Sequence, residues 1–266
     1  KILSLNDIGD LTYPYKFLDG KTQTIKDIFE NKNDVAKDII SSKKPMIIFG
    51  ESFLNTKSAS YLFYSFKNFL TKNDKFTNEW NPFNILSTDA ATVGNFDLDI
   101  INDKEDLIKD LNENKFELVY LLGQDNLIFN KKNEFVIYQG SHGDKGAEIA
   151  DIILPGAAYT EQSAHFTNLE GKIQKAYKAS YPPGEAKEDW QIINELAEMM
   201  NNRKLFNDKD ELESSMHNFL NLKKEKQKSG YVKEINQDDF ENETLNIKVK
   251  DYYFSNVIAR SSKTML

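Results

Sequence analysis

Four short apolar runs end in glycine or proline: residues 45–50 (Pro-Met-Ile-Ile-Phe-Gly), 118–123 (Leu-Val-Tyr-Leu-Leu-Gly), 135–140 (Phe-Val-Ile-Tyr-Gln-Gly) and 150–156 (Ala-Asp-Ile-Ile-Leu-Pro-Gly). Their hydrophobicity is continuous rather than alternating. A strand of that kind is buried on both faces, as in parallel sheets covered by helices. Helix-like stretches lie between the runs, at 58–70 with a Tyr61, Leu62, Phe66, Phe69 stripe and at 104–112. Strand and helix alternating in this way predict an α/β fold: an open, mostly parallel, doubly wound sheet with flanking helices. Such sheets take ligands at the carboxyl ends of their strands, here Gly50, Gly123, Gly140 and Gly156.

The pattern then changes. Residues 165–177 read as a hairpin, Pro182-Pro183-Gly184 as a turn, and 190–200 as a helix with Trp190, Ile193, Ala197 and Met200 on one face, belonging to core or interface. Beyond Asn201 the chain is more polar, with helical stretches over 208–228, an acidic, asparagine-rich link at 236–244, a β-like run at 245–249 and a closing segment at 251–266. Two parts are expected: an α/β domain over 1–206, and a C-terminal extension over 207–266. The extension has too little apolar surface for a core of its own, so it should pack on the domain or on a partner.

Composition removes several functions. The 34 basic and 42 acidic residues leave a net charge of −8, and the only arginines are Arg203 and Arg260. Nucleic-acid binding favours a basic face and the arginine fork, so no nucleic acid is expected. The sequence has no cysteine, which excludes disulfides, zinc–thiolate sites and thiolate-ligated iron–sulfur clusters within it. The three histidines, His142, His165 and His217, are not spaced as a ligand pair, and no metal site is expected. The apolar runs are too short to span a bilayer. No basic, apolar leader precedes residues 1–5, which predicts no targeting segment.

Residues 138–174 hold five of the 12 glycines, two of the three histidines and Pro155, residues that could serve chemistry. Gly140-Ser141-His142-Gly143-Asp144-Lys145-Gly146 follows a strand, and its N–H groups could face a phosphate. It has neither the Walker nor the dinucleotide spacing, and a tight turn at a strand end is the plainer reading. Ser141, His142 and Asp144 supply the letters of a hydrolytic triad, but neighbours on one loop do not converge on a common centre. Glu148, Asp151, Glu161 and Glu170 could act as acid and base. Structural roles are the stronger reading for each, with Glu161 capping a turn after Thr160 and Glu170-Gly171 forming one. His165, beside Phe166, reads as a packing residue.

Individually weak, these motifs gain meaning from their order. Tyr138-Gln139-Gly140, His142-Gly143-Asp144, Gly146-Ala147, Ile149-Ala150-Asp151, Ile153-Leu154-Pro155-Gly156-Ala157-Ala158-Tyr159-Thr160-Glu161, Ser163-Ala164, Asn168 and Glu170-Gly171 together resemble the large iron–sulfur subunit of respiratory complex I, the proton-pumping NADH:ubiquinone oxidoreductase. The likeness extends to Leu11-Thr12-Tyr13, Lys43-Lys44-Pro45-Met46, Asn84-Ile85-Leu86, Leu121-Leu122-Gly123, Pro182-Pro183-Gly184, Glu188-Asp189-Trp190 and Lys250-Asp251-Tyr252-Tyr253 with Arg260, Ser262 and Thr264-Met265. It is similar to the carboxyl-terminal portion of that subunit, whose fold is that of the molybdopterin oxidoreductases.

The resemblance implies a redox-silent scaffold in the peripheral arm, on the matrix side of the mitochondrial inner membrane. It implies no catalytic residue and no cofactor here, iron–sulfur clusters and FMN being carried by partner chains. Expected partners are the cluster-bearing amino-terminal portion of the same subunit, as a separate chain completing a split subunit, and the NADH-binding flavoprotein subunits. Gly140, His142, Gly143, Gly146, Pro155, Gly156 and Glu161 are expected to be a vestigial pterin cradle. The alternative is half of a working molybdopterin-dependent oxidoreductase in which these loops hold the cofactor.

Overall fold

The computed structural model describes residues 1–87, 89–100, 107–125, 127–226, 240–245 and 256–264. The chain falls into two compact units, the first comprising Lys1–Thr92 with Ser229–Lys248 and the second Val93–Lys228 with Val249–Leu266.

In the first unit, β1 (Leu3–Ser4) pairs in parallel with β2 (Lys16–Phe17). Helices α1 (Thr22–Phe29) and α2 (Asp34–Ser41) follow, the second started by Asn33, whose side chain accepts from the Ala36 N–H at 3.2 Å. Strand β3 (Ile47–Gly50) pairs in parallel with β4 (Phe83–Leu86) through a crossover containing a 3-10 turn (Glu51–Asn55) and α3 (Ala59–Lys72). The expected 58–70 stripe is the buried face of α3. Its Leu62, Phe66, Phe69 and Leu70 join Ile25 and Ile28 of α1 in one core. Phe49 is the hub, with ring centroids 4.6 Å from Phe53, 5.1 Å from Phe83 and 5.8 Å from Phe66. Each such edge-on or tilted pair adds about 0.5–1.5 kcal/mol to the area it buries.

In the second unit, α4 (Thr92–Asp97) and α5 (Leu107–Asn112) precede a three-stranded parallel sheet of β5 (Leu118–Leu122), β6 (Phe135–Gly140) and β7 (Ile152–Pro155). The short α6 (Lys145–Glu148) joins β6 to β7. The sheet's covered face carries Leu121, Val136 and Tyr138 against Leu111 and Phe129. Strands β8 (Ala164–Thr167) and β9 (Ile173–Ala176) form the expected hairpin. Its turn is organised by Asn168, whose side-chain oxygen accepts from the N–H groups of Glu170 at 3.0 Å and Lys172 at 2.9 Å. Gly171 takes the left-handed φ of 76° that this turn requires. Helices α7 (Asp189–Asn201), α8 (Lys209–Lys226) and α9 (Val257–Ser261) complete the unit.

Parallel strands flanked by helices are present as expected, but among the described residues they are divided between short separate sheets. The continuous apolar pattern also overstated burial. Successive side chains of a strand point to opposite faces, and here one face is covered only in part: Met46, Ile48 and Leu86 are exposed in the first unit, and Leu118, Phe135 and Ile152 in the second, where Gln139 on that same face is buried. The α7 stripe is likewise only partly covered. Trp190, Ile193 and Ala197 are half-buried and Met200 is 73% exposed. The buried residue of α7 is polar Asn194, whose side chain accepts from the N–H groups of Leu205 and Phe206 and donates to the Phe206 carbonyl. It ties the incoming chain to the helix.

By compactness the units divide at residue 92. Parts of the helix expected at 104–112, of the stretch expected over 208–228, and of the 236–244 link lie outside the described residues, as do 246–249 of the β-like run and 251–255 of the closing segment.

Candidate functional site

The carboxyl ends of β5, β6 and β7 lie side by side in the second unit. Gly140 stands opposite Pro155, and the Gly156 N–H donates to the Gly140 carbonyl at 2.9 Å. Gly123, with a φ of 61°, ends β5 and donates to the Gln139 carbonyl at 2.8 Å. The Tyr138 hydroxyl donates to the His142 carbonyl at 2.9 Å and folds the following loop back over its own strand. Burial pushes that phenol's pKa upward, so it stays a donor. A Cβ on Gly146 would lie 2.5 Å from the Gln124 carbonyl oxygen and 2.9 Å from the Tyr138 ring, so glycine here permits close packing. Around Gly143, by contrast, the space is open.

A cation from the C-terminal segment lies on this loop. Asp144 starts α6, accepting from the Lys145 N–H at 2.8 Å, and its other oxygen accepts from Arg260 Nε at 2.7 Å. Arg260 Nη2 reaches Asp125 Oδ1 at 2.8 Å, while the Asp125 carbonyl accepts from the Gly146 N–H at 3.0 Å. The guanidinium holds the Asp144 carboxyl below its usual range, chiefly through this hydrogen bond. One arginine thus clamps two carboxylates from separate loops. This is unsuited to a phosphate, which would meet paired carboxylates and find the Gly146 N–H already engaged. The residues present in this loop do not fit the anionic part of a pterin dinucleotide.

The Gly156 side is closed by a carboxamide network. Buried Gln139 donates to Asp189 Oδ1 at 2.8 Å and accepts a short hydrogen bond from the Tyr120 hydroxyl. Gln162 donates to Asp189 Oδ2 at 3.0 Å and accepts from the Asp189 N–H at 3.3 Å. A Cβ at Gly156 would stand 2.9 Å from Asp189 Oδ1. Glu161 caps the intervening turn as its sequence suggested: its carboxylate accepts from the Ala158 N–H at 3.0 Å. The Pro155 carbonyl accepts from the Lys187 N–H at 3.2 Å.

The expected cradle residues are therefore neighbours, but what holds them was not among the expected site residues. Arg260, Asp125, Gln139, Gln162 and Asp189 make the arrangement. A glutamine inside an apolar strand and an arginine in an arginine-poor chain were the available signals. Other candidates have structural partners. Ser141 Oγ is 3.0 Å from His142 Nδ1, but Asp144 is turned to Arg260, so no triad forms. Asp151 binds Lys131 at 2.7 Å and the Val136 N–H at 2.8 Å, and Glu148 pairs with Lys145 at 2.9 Å. His165 and His217, remote in sequence, meet edge-on at 5.6 Å, and burial lowers the His165 pKa. Among the described residues no three His, Cys, Asp or Glu side chains are grouped to hold a metal ion, and no helix is long and apolar enough to cross a membrane.

Comparison with known families matches residues 1–199 to molybdopterin oxidoreductase and residues 212–265 to the C-terminal region of an NADH-ubiquinone oxidoreductase subunit. Among curated proteins, the chain is 36% identical to the NADH-ubiquinone oxidoreductase 75 kDa subunit of Reclinomonas americana over 99% of its own length and 39% of the relative's. It is 36% identical to the mitochondrial 78 kDa subunit of Candida albicans, covering 88% of the chain and 34% of the relative. It is also 32% identical to the mitochondrial 78 kDa subunit of Neurospora crassa, covering 96% and 36%. The chain thus spans little more than a third of these relatives. With α/β elements and parallel strands matched over residues 1–199, followed by the oxidoreductase C-terminal module, the chain belongs to the molybdopterin oxidoreductase family, in the branch formed by the large subunit of complex I.

Proposed function

We propose that this chain is a redox-silent structural segment of the peripheral, NADH-oxidising arm of mitochondrial complex I, supporting electron transfer from NADH to ubiquinone by scaffolding. The observation that carries this reading is the closure of the strand ends. Where an α/β sheet of this type would take a ligand, Arg260, Asp125 and Asp144 occupy one side and Gln139, Gln162 and Asp189 the other. Every bond there fixes loop geometry, and none leaves a base aimed at an open pocket. The chain also has no thiol with which to ligate a cluster.

A scaffold acts by holding surfaces. The open apolar positions Met46, Ile48 and Leu86 in one unit, and Leu118, Phe135 and Ile152 in the other, are surfaces that neighbours in an assembly would cover. Those neighbours are the cluster-bearing part of the large subunit and the NADH-binding flavoprotein subunits, which bring the iron–sulfur clusters and FMN. The place is the matrix side of the inner membrane.

The family match also favours a second reading, half of a molybdopterin-dependent oxidoreductase. Metal and pterin analysis of the purified parent complex separates the two. Molybdenum and tungsten far below one per complex are expected under the scaffold reading; a stoichiometric amount overturns it. A kinetic arm is independent of that assay. His142→Ala and Glu161→Ala should leave turnover per assembled complex unchanged and act only through assembly yield. A large fall in turnover at unchanged assembly would refute the structural role.

A further inference from the structure

Residues 240–245 (Phe-Glu-Asn-Glu-Thr-Leu) belong to the first unit, although 183 positions separate Glu241 from Ser58 and 221 separate Glu243 from Thr22. Chain continuity does not hold them there. Two hydroxyls do much of it. Ser58, 1% exposed, donates to the Glu241 carbonyl at 3.0 Å and accepts from the Glu241 N–H at 2.6 Å. Thr22, 0% exposed, accepts from the Glu243 N–H at 2.7 Å, and its hydroxyl proton lies between two carbonyls, Glu241 at 3.2 Å and Glu243 at 3.3 Å. Both therefore use donor and acceptor on the same main chain, at residues two apart. Backbone pairing extends this, with Thr22 N–H to the Glu243 carbonyl at 2.9 Å and Leu245 N–H to the Gly20 carbonyl at 2.7 Å.

Side chains supply the selectivity. The Phe240 ring lies 5.8 Å from the Tyr61 ring, with Lys26 Nζ 4.2 Å from its centroid. Leu245 packs on the phenylalanine core at the other end. Between these anchors, Glu241 pairs with Lys57 Nζ at 2.6 Å, Glu243 accepts from the Lys57 N–H at 2.9 Å, and Asn242 accepts from the Gln23 N–H at 3.3 Å. These contacts gather at the N-terminal ends of α1 and α3, where helix dipoles favour negative side chains.

We propose that the first unit carries a peptide-recognition groove whose ligand is this segment held in cis, and that the groove takes extended acidic peptides of the form aromatic-acidic-x-acidic-x-aliphatic. Main-chain bonds set the register and supply affinity, and the two end anchors with the lysine select the sequence. The polar segment is thereby joined to the α/β unit by recognition rather than by loose packing. The inference does not depend on assignment to the peripheral arm, because it concerns contacts inside one unit.

The test uses the full chain. In a weakened variant carrying Phe240→Ala, Glu241→Lys and Glu243→Lys, the groove is vacated. A fluorescent peptide spanning 238–247 should bind it saturably, and bind about tenfold more weakly when Thr22→Val and Ser58→Ala are added. The unmodified chain, with its groove filled, should bind the same peptide at least about tenfold more weakly than the vacated variant. Equal binding of a scrambled peptide, or no saturable binding to a weakened chain that retains exchange protection in α3, overturns the proposal. A second arm leaves the anchors intact. Lys57→Glu should speed hydrogen exchange at the Thr22 amide by about fivefold, and adding Glu241→Lys should restore it. If the pair fails to restore protection, the recognition is not directional and the proposal falls.

Discussion

The two units are closed by different chemistry. In the first, neutral hydroxyls on Thr22 and Ser58 hold the backbone of 240–245 over a core crowded with phenylalanine. In the second, a guanidinium pinned between Asp125 and Asp144 and a buried carboxamide network hold loops over a smaller core centred on Val136 and Tyr138. The hydroxyl bonds to backbone tolerate changes of pH and salt, although the exposed Lys57–Glu241 pair beside them does not. A charge clamp fixes direction more tightly but depends on ionisation. Residues of the C-terminal region take part in both closures, so one polar stretch of sequence acts as structure in two unlike settings.

That contrast can be broken most severely at Phe49. Phe49→Ala should cost the first unit about 3–5 kcal/mol, because the aromatic hub would leave a cavity among rigid rings. Denaturation followed by hydrogen exchange should show the loss in α3 and not in β5–β7. An equal loss in both would mean the units do not unfold separately. A smaller effect, about 1–3 kcal/mol, is expected from Gly146→Ala, whose Cβ would press on the Gln124 carbonyl oxygen at 2.5 Å. Protection lost at residue 146 and the neighbouring turn, with β6 intact, would be the signature.

The third test sharpens the comparison through pH. Arg260→Leu should destabilise the second unit by about 1–2 kcal/mol by leaving two carboxylates without their cation. Asp144 titrates below its usual value in the folded chain. Its contribution is therefore complete above the ordinary carboxylate range near pH 4 and is lost as pH falls through and below that range. An acid titration should open the 140–146 loop in the unsubstituted chain and show a shallower dependence in the Arg260→Leu variant. An unchanged slope would remove the clamp from the account.

Several elements were legible because their causes are local. The 58–70 stripe repeats at helical spacing, and Asn168 with Glu170-Gly171 is turn chemistry that needs no distant partner. Glu161 capped its turn for the same reason. The four apolar runs became β3, β5, β6 and β7, yet their exposed faces at Ile48 and Ile152 were not legible, since burial depends on whether another element arrives to cover them. Asn194 shows the converse. A polar residue on a helix face looks solvated until the returning chain at Leu205 and Phe206 presents backbone groups for it to bind.

The sequence by itself determined that the chain is α/β with parallel strands, that it carries no thiol chemistry, and to which family it belongs, because strand hydrophobicity, composition and motif order are properties of the string. Only the tertiary structure decided that the glycine-rich loop is clamped by Arg260, 116 residues from Asp144, and that Thr22 and Ser58 grip residues 240–245. Each is a bond between residues remote in sequence, and periodicity carries no information about which distant donor meets which acceptor. Packing supplies it, by bringing buried polar groups together where each must find a partner.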